Sequence, residues 1–182
     1  YFDREFLYGT RGGDYVDNSE RFTFFCRAVM EWIARSGRRS DILHCNDWHT
    51  GPAIALVHQQ EGRPRTVFTI HNLAHMGIFD RQTFDRLGLP ESLWQEQGLE
   101  YYGQCSFIKG GLVYADEITT VSPTYAREIC QAPGGMGLEG LLSQRRAHLV
   151  GILNGIQSKI WDPACDPHLR HNYDASSLQK KE

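Results

Sequence analysis

The 182-residue sequence has no apolar run approaching the roughly 18 residues of a membrane-spanning helix, no block of five like charges, no internal repeat and no low-complexity tract. The first absence sets a helical membrane protein aside. With 19 basic residues against 22 acidic ones and a formal net charge of -3, the charge pattern of a nucleic-acid binder is missing as well. Cysteine is sparse: Cys26, Cys45, Cys105, Cys130 and Cys165 stand apart with no CxxC pair. An odd, unclustered set predicts reduced packing thiols rather than a disulfide framework. The charged start Tyr1-Phe2-Asp3-Arg4-Glu5 is neither a signal peptide nor a presequence, so the expectation is a soluble, cytoplasmic protein. The chain opens on Tyr1 rather than Met and closes on Lys180-Lys181-Glu182 in what reads as a starting helix, so it is expected to be a piece of a longer protein.

Apolar residues make up 41% and charged residues 23%, enough to bury a real core. Residues 18–36 carry Phe22, Phe25, Cys26, Val29, Trp32 and Ile33 at the three-and-four spacing of one buried helix face, with Asp17 or Asn18 as cap and Gly37 as stop. Short buried strands are predicted at residues 41–45, 66–70, 117–121 and 149–153, from β-branched and aromatic runs that end in polar residues. Helices are predicted between them at 51–60 and 106–115 and from Pro123 onward, with weaker ones near 82–87 and 91–97. Gly110 and Gly111 in mid-helix point to close backbone packing. Alternating strands and helices predict an α/β fold: a Rossmann-like parallel sheet with helices on both faces. Ligands of such sheets sit at the strands' carboxyl ends. Asn46-Asp47-Trp48-His49, His71-Asn72, Ser122 and Asn154-Gly155 all fall there.

Three constellations stand out. His44, Cys45, Asp47 and His49 are close in sequence, but strand geometry points the first two to opposite faces and no second ligand pair follows, so no metal site is expected. Gly135-Met136-Gly137-Leu138-Glu139-Gly140 spells the dinucleotide fingerprint, yet it follows a helix and a Pro-Gly turn instead of a strand, which predicts a chance match. Asp47, Trp48, His49, His71, Asn72 and Asn154 combine hydrogen-bonding groups, one carboxylate and an indole, a set suited to sugar hydroxyls and a sugar ring face. Helix capping by Asp47 or Thr50 and turn formation by Asn72 and Asn154 are the competing explanations for each residue singly. The coincidence of three polar strand ends favours a site.

These residues also carry a resemblance. Phe2-Asp3-Arg4 with Leu7-Tyr8-Gly9, Asp14-Tyr15-Val16-Asp17-Asn18 with Arg21-Phe22, His44-Cys45-Asn46-Asp47-Trp48-His49-Thr50-Gly51, Val67-Phe68-Thr69-Ile70-His71-Asn72-Leu73-Ala74, Phe107-Ile108-Lys109-Gly110-Gly111-Leu112, residues 115–129, Gly137-Leu138-Glu139-Gly140-Leu141-Leu142 and Gly151-Ile152-Leu153-Asn154-Gly155-Ile156 together resemble the bacterial glycogen synthase and plant starch synthase family. The resemblance implies a retaining GT-B glucosyltransferase that moves glucose from a nucleotide sugar, usually ADP-glucose, to the non-reducing end of an α-1,4-glucan in glycogen or starch biosynthesis. It divides the chain into residues 1–173, an N-terminal catalytic half lacking its first strands, and 174–182, the start of a connection toward a C-terminal domain that would hold the nucleotide. Alone, the chain is expected to be inactive.

Carried over, His71 and Asp47 are the implied catalytic residues. Asn154, Asn72 and His49 are implied at the donor sugar, and Tyr8 and Trp48 at the acceptor glucan. No metal, cofactor, nucleic acid or membrane partner is implied, and the compartment is the cytoplasm, or the plastid stroma in a plant. Asn46 departs from the family's usual histidine. A non-catalytic glucan-binding module that keeps only the acceptor side is the alternative.

Overall fold

The computed structural model describes residues 1–181, in two units: one from Tyr1 to Ile152 and a second from Leu153 onward. The first unit begins with an irregular strap that forms a short antiparallel pair, β1 (Gly9–Thr10) and β2 (Gly13–Asp14), and leads into α1 (Asn18–Arg35). Strands β3 (Ile42–Asn46) and β4 (Arg65–Ile70) flank α2 (Gly51–His58). Next come β5 (Ile78–Phe79), α3 (Arg81–Leu87), and β6 (Glu100–Tyr101) paired with β7 (Gln104–Ser106). The remainder is α4 (Phe107–Tyr114), β8 (Glu117–Thr120), α5 (Pro123–Glu128), α6 (Glu139–Gln144) and β9 (Leu149–Gly151).

The main sheet is parallel, in the order β3-β4-β8-β9, with Cys45 beside Phe68, Phe68 beside Ile118, and Ile118 beside Leu149. The four strands and the principal helices fall where the hydrophobic pattern predicts them. α2 and α4 pack together over one face of this sheet. Phe68, Ile70 and Ile118 are fully buried on that side, while Ile42, His44 and Val150 on the other are exposed. α4 approaches so closely that a Cβ on Gly111 would lie 2.4 Å from the Phe68 ring. The mid-helix glycines therefore do mark close packing.

α1 forms as predicted, but its buried stripe is Phe22, Cys26 and Met30, while Phe25 and Trp32 are 39% and 59% exposed. The i, i+4 row that meets α2 and α3 prevails over the neighbouring aromatic row. Asp17 occupies the N-cap position without capping, because its carboxylate is taken by the Arg4 guanidinium at 2.6 and 2.8 Å. The predicted helix near 91–97 is a single 3-10 turn, Glu91–Leu93, and the small antiparallel sheet β5-β7-β6 is additional to the sequence reading.

Candidate functional site

The first unit carries a cleft of about 500 Å3 at the carboxyl ends of β3 and β4, walled on its far side by the strap and by residues 74–79. At the end of β3, Asp47 donates its N–H to Thr69 O at 2.9 Å, continuing the ladder, and then turns sharply, with φ 57° and ψ 178°. That combination is nearly restricted to glycine and costs about 1–3 kcal/mol in any other residue. The turn lets one Asp47 carboxylate oxygen accept the backbone N–H of His71 at 2.8 Å, linking the ends of two strands. The exposed His71 imidazole places Nε2 3.1 Å from Asn46 Oδ1. Asn46 thus retains a hydrogen-bonding role at a position where the family usually has a titratable side chain.

Neither Asp47 nor Thr50 makes a side-chain helix cap; the Thr50 hydroxyl donates backward to Asn46 O at 2.6 Å. The capping explanation therefore fails at this strand end. It holds at β8, where Ser122 Oγ accepts the Tyr125 N–H at 2.9 Å. Asn72 is a turn residue, accepting from Ala74 N at 3.0 Å, and also lines the cleft.

Trp48 is 9% exposed and is not an open stacking face. Its indole packs edge-on against Phe22 at 4.9 Å and also against Phe79 at 5.8 Å, and a Cβ on Gly77 would lie 2.4 Å from the ring. The positive φ of Gly77 and its missing side chain let the loop close over the indole. Trp48 is the wall behind Tyr8, whose ring lies 5.7 Å away and is 36% exposed. Tyr8 Oη lies 3.3 Å from His49 Nδ1. Burial pushes the His49 imidazole below its ordinary value and, with Asp47 adding to it, pushes the Tyr8 phenol above its own.

The strap that carries Tyr8 is fastened by Arg21, a residue the sequence reading passes over as a functional element. Arg21 is 1% exposed, donates to Tyr1 O at 2.8 Å, Leu7 O at 3.0 Å and Asn18 Oδ1 at 2.6 Å, and stacks over Phe2 and Tyr15. An arginine among aromatics on the inward face of a predicted helix is the signal that would have found it. Asn154 belongs to the second unit, where it is exposed. Tyr8, Asp47, Trp48, His49, His71 and Asn72 are brought together in the first.

Among the described residues no group of three or more His, Cys, Asp or Glu has metal-binding geometry; His44 instead bonds Thr69 Oγ1 at 2.7 Å on the exposed face. The glycine-rich loop at 135–140 follows α5, not a strand, and its Gly137 N–H is taken by Glu139 Oε2 at 2.9 Å, where a phosphate would have to sit. No helix among the described residues is long and apolar enough to cross a membrane.

Residues 1–144 match the family model described as the starch synthase catalytic domain. The chain belongs to that family. It is 52% identical over 174 residues to a glycogen synthase of Thioalkalivibrio sulfidiphilus, covering 93% of this chain and 36% of the relative. It is 46% identical to glycogen synthase 2 of Geobacter sulfurreducens, covering 100% of this chain and 39% of the relative. The catalytic domain of starch synthase IV from Arabidopsis thaliana, solved bound to ADP and acarbose, superposes with a TM-score of 0.79 at 34% identity over 98% of this chain and 37% of that one. The parallel α/β unit is thus part of a GT-B starch synthase catalytic domain, and the chain spans under half the length of the relatives it matches.

Proposed function

We propose that the protein containing this chain transfers glucose from a nucleotide sugar, ADP-glucose, to the non-reducing end of an α-1,4-glucan with retention at the anomeric carbon, in glycogen or starch synthesis. The observation that carries this reading is the joining of two strand ends by the Asp47–His71 bond beside an aromatic cleft. That pairing puts a carboxylate, an exposed imidazole and a sugar-sized apolar wall in one place. The names of the relatives and the ADP and acarbose bound by the neighbour support it.

In this reading His71 and Asp47 act at the donor glucose, where positive charge develops at the anomeric carbon in the transition state. Fixed polar groups at such a position are each worth about 2–4 kcal/mol. Asn72, His49 and Asn154 hold donor hydroxyls, and Tyr8, backed by Trp48, packs against an acceptor ring. Residues 1–173 serve as the acceptor-side part of the catalytic domain and 174–182 begin the connection to the nucleotide-binding remainder. The cysteines are free, three of them buried, which supports a reducing compartment: the cytoplasm, or the plastid stroma in a plant.

The test is His71→Ala in the protein containing this chain, assayed with ADP-glucose and glycogen. The imidazole is exposed and among the described residues its side chain bonds Asn46 alone, so the melting temperature is expected to hold. Contact made mainly in the transition state lowers kcat and kcat/KM together by roughly a hundredfold, about 2.7 kcal/mol, with KM nearly unchanged. A destabilised variant with normal turnover would remove His71 from the site. Glucan binding without any transfer by the unaltered protein would point to a binding module instead.

A further inference from the structure

Tyr8 stands on an irregular stretch of the strap, one residue before β1. The β1–β2 pair has two residues in each strand, and a hairpin that short does not hold its own shape in water. The Tyr8 carbonyl accepts two hydrogen bonds. One comes from the Tyr15 N–H at 2.9 Å and continues the β1–β2 ladder. The other comes from Asn18 Nδ2 at 2.8 Å, reaching out of the first turn of α1.

Asn18 is 3% exposed, and both ends of its amide are in use. While Nδ2 donates to Tyr8 O, Oδ1 accepts Arg21 Nη1 at 2.6 Å. Reversing the amide would set Oδ1 against the Tyr8 carbonyl and Nδ2 against the guanidinium, so one orientation is fixed. Helix capping does not account for the residue, because its oxygen accepts from a side chain rather than from a backbone N–H of α1. The same Arg21 Nη1 donates to Leu7 O at 3.0 Å. Arg21 therefore holds the residue before Tyr8, and Asn18 holds Tyr8 itself. Both stand on an 18-residue helix, so the placement of Tyr8 is referred to the rigid part of the unit.

We propose that Asn18 is a positioning residue for the acceptor: by holding the Tyr8 carbonyl it sets where the Tyr8 ring stands in the cleft, and so how tightly the glucan, but not the nucleotide sugar, is bound. The inference rests on the glucosyl-transfer reading, in which Tyr8 packs against an acceptor ring, and adds a residue which that reading leaves out. An aromatic platform gains contact only at the right separation from the ring it meets, so a side chain that fixes its backbone acts on affinity without touching the ligand.

The experiment is Asn18→Asp in the protein containing this chain, with Tyr8→Ala and the double variant beside it. Aspartate has the shape of asparagine and keeps an oxygen for Arg21, whose charge favours the new carboxylate, so Arg21 still fastens the strap at Tyr1 and Leu7. What is lost is the donor to Tyr8 O, where two oxygens now face each other. The KM for maltotriose is expected to rise about tenfold, with kcat, the KM for ADP-glucose and the melting temperature near those of the parent. In the Tyr8→Ala background the aspartate is expected to add nothing, since it acts through the missing ring. An unchanged maltotriose KM in Asn18→Asp overturns the proposal and leaves the transfer reading intact. A further rise in the double variant overturns it too, because Asn18 would then touch the glucan directly. A lowered melting temperature with both KM values raised alike overturns it as well, and makes Asn18 a residue of the fold alone. If the unaltered protein transfers no glucose, the transfer reading falls and this inference with it.

Discussion

The backbone of Asp47 makes an unusual stability prediction. Its φ of 57° and ψ of 178° lie where glycine is nearly the only comfortable residue, while its carboxylate accepts the His71 N–H at 2.8 Å. Asp47→Ala loses that charge-assisted bond and keeps the strain. The bond lies at an exposed rim where water can replace it, so the loss is at the low end, about 1.5 kcal/mol. Asp47→Gly loses the same bond but releases about 2 kcal/mol of strain, against about 0.75 kcal/mol for the greater freedom of the unfolded glycine chain. Glycine should therefore be the more stable of the two variants by about 1 kcal/mol, or about 2–4 °C in Tm, a reversal of the usual order. Asp47→Asn keeps an acceptor oxygen and removes the charge, so it should melt like the parent while losing turnover roughly a hundredfold with ADP-glucose. Thermal melts of the three variants beside steady-state kinetics make the comparison. If Asp47→Ala is more stable than Asp47→Gly, the strain argument is wrong. If Asp47→Asn turns over normally, the carboxylate is a structural link between strands and nothing more.

How much of this was legible in the sequence depends on how local each signal is. The run Thr66-Val67-Phe68-Thr69-Ile70 is β-branched and aromatic throughout, so β4 declares itself, and its polar end at His71-Asn72 marks the site. In α1 the existence of a helix is local information but its inward face is not. Phe22, Phe25, Val29 and Trp32 fit one stripe as well as Phe22, Cys26 and Met30 fit another, and only the position of α2 decides between them. The β6–β7 hairpin is hidden because its strands are two and three residues long and Tyr102-Gly103 is not a recognised turn pair. The strap has no period at all. It is held by Arg21 reaching carbonyls up to 20 residues away, so the distance between Tyr8 and His49 could not be read from spacing. Polar strand ends located the site, whereas the open or buried state of each side chain, as with Trp48, came from tertiary packing.

Three further outcomes are expected. Asp116 is held well below the usual carboxylate range by the Arg63 guanidinium, bonded at 2.8 and 3.0 Å, and also accepts the Thr66 N–H at 2.7 Å. Its contribution is present above the unfolded value of 3.8 and fades as pH falls through the lower folded value, so Asp116→Asn should cost about 1.5–3 kcal/mol near neutrality and flatten the acid limb of the stability profile; an unchanged acid limb in denaturant melts would count against the clamp. Gly111→Ala drives a methyl into the buried Phe68 ring and should cost about 1–3 kcal/mol in a thermal melt, whereas a gain in stability would mean that α4 can move away from the sheet. His49 should titrate below 6.5 by NMR, because burial penalises its charged form more than the Asp47 carboxylate favours it. A depressed folded value means that the stabilising neutral form is in place above 6.5 and is lost as pH falls through that lower value, and the protonated Nδ1 can then only donate in its 3.3 Å contact with the Tyr8 hydroxyl. Acid should therefore loosen the strap at Tyr8 before it unfolds the sheet, visible as Tyr8 ring resonances shifting together with the His49 titration. A midpoint at or above 6.5, or Tyr8 signals that move only with global unfolding, would show that the strap is fixed by Arg21 alone.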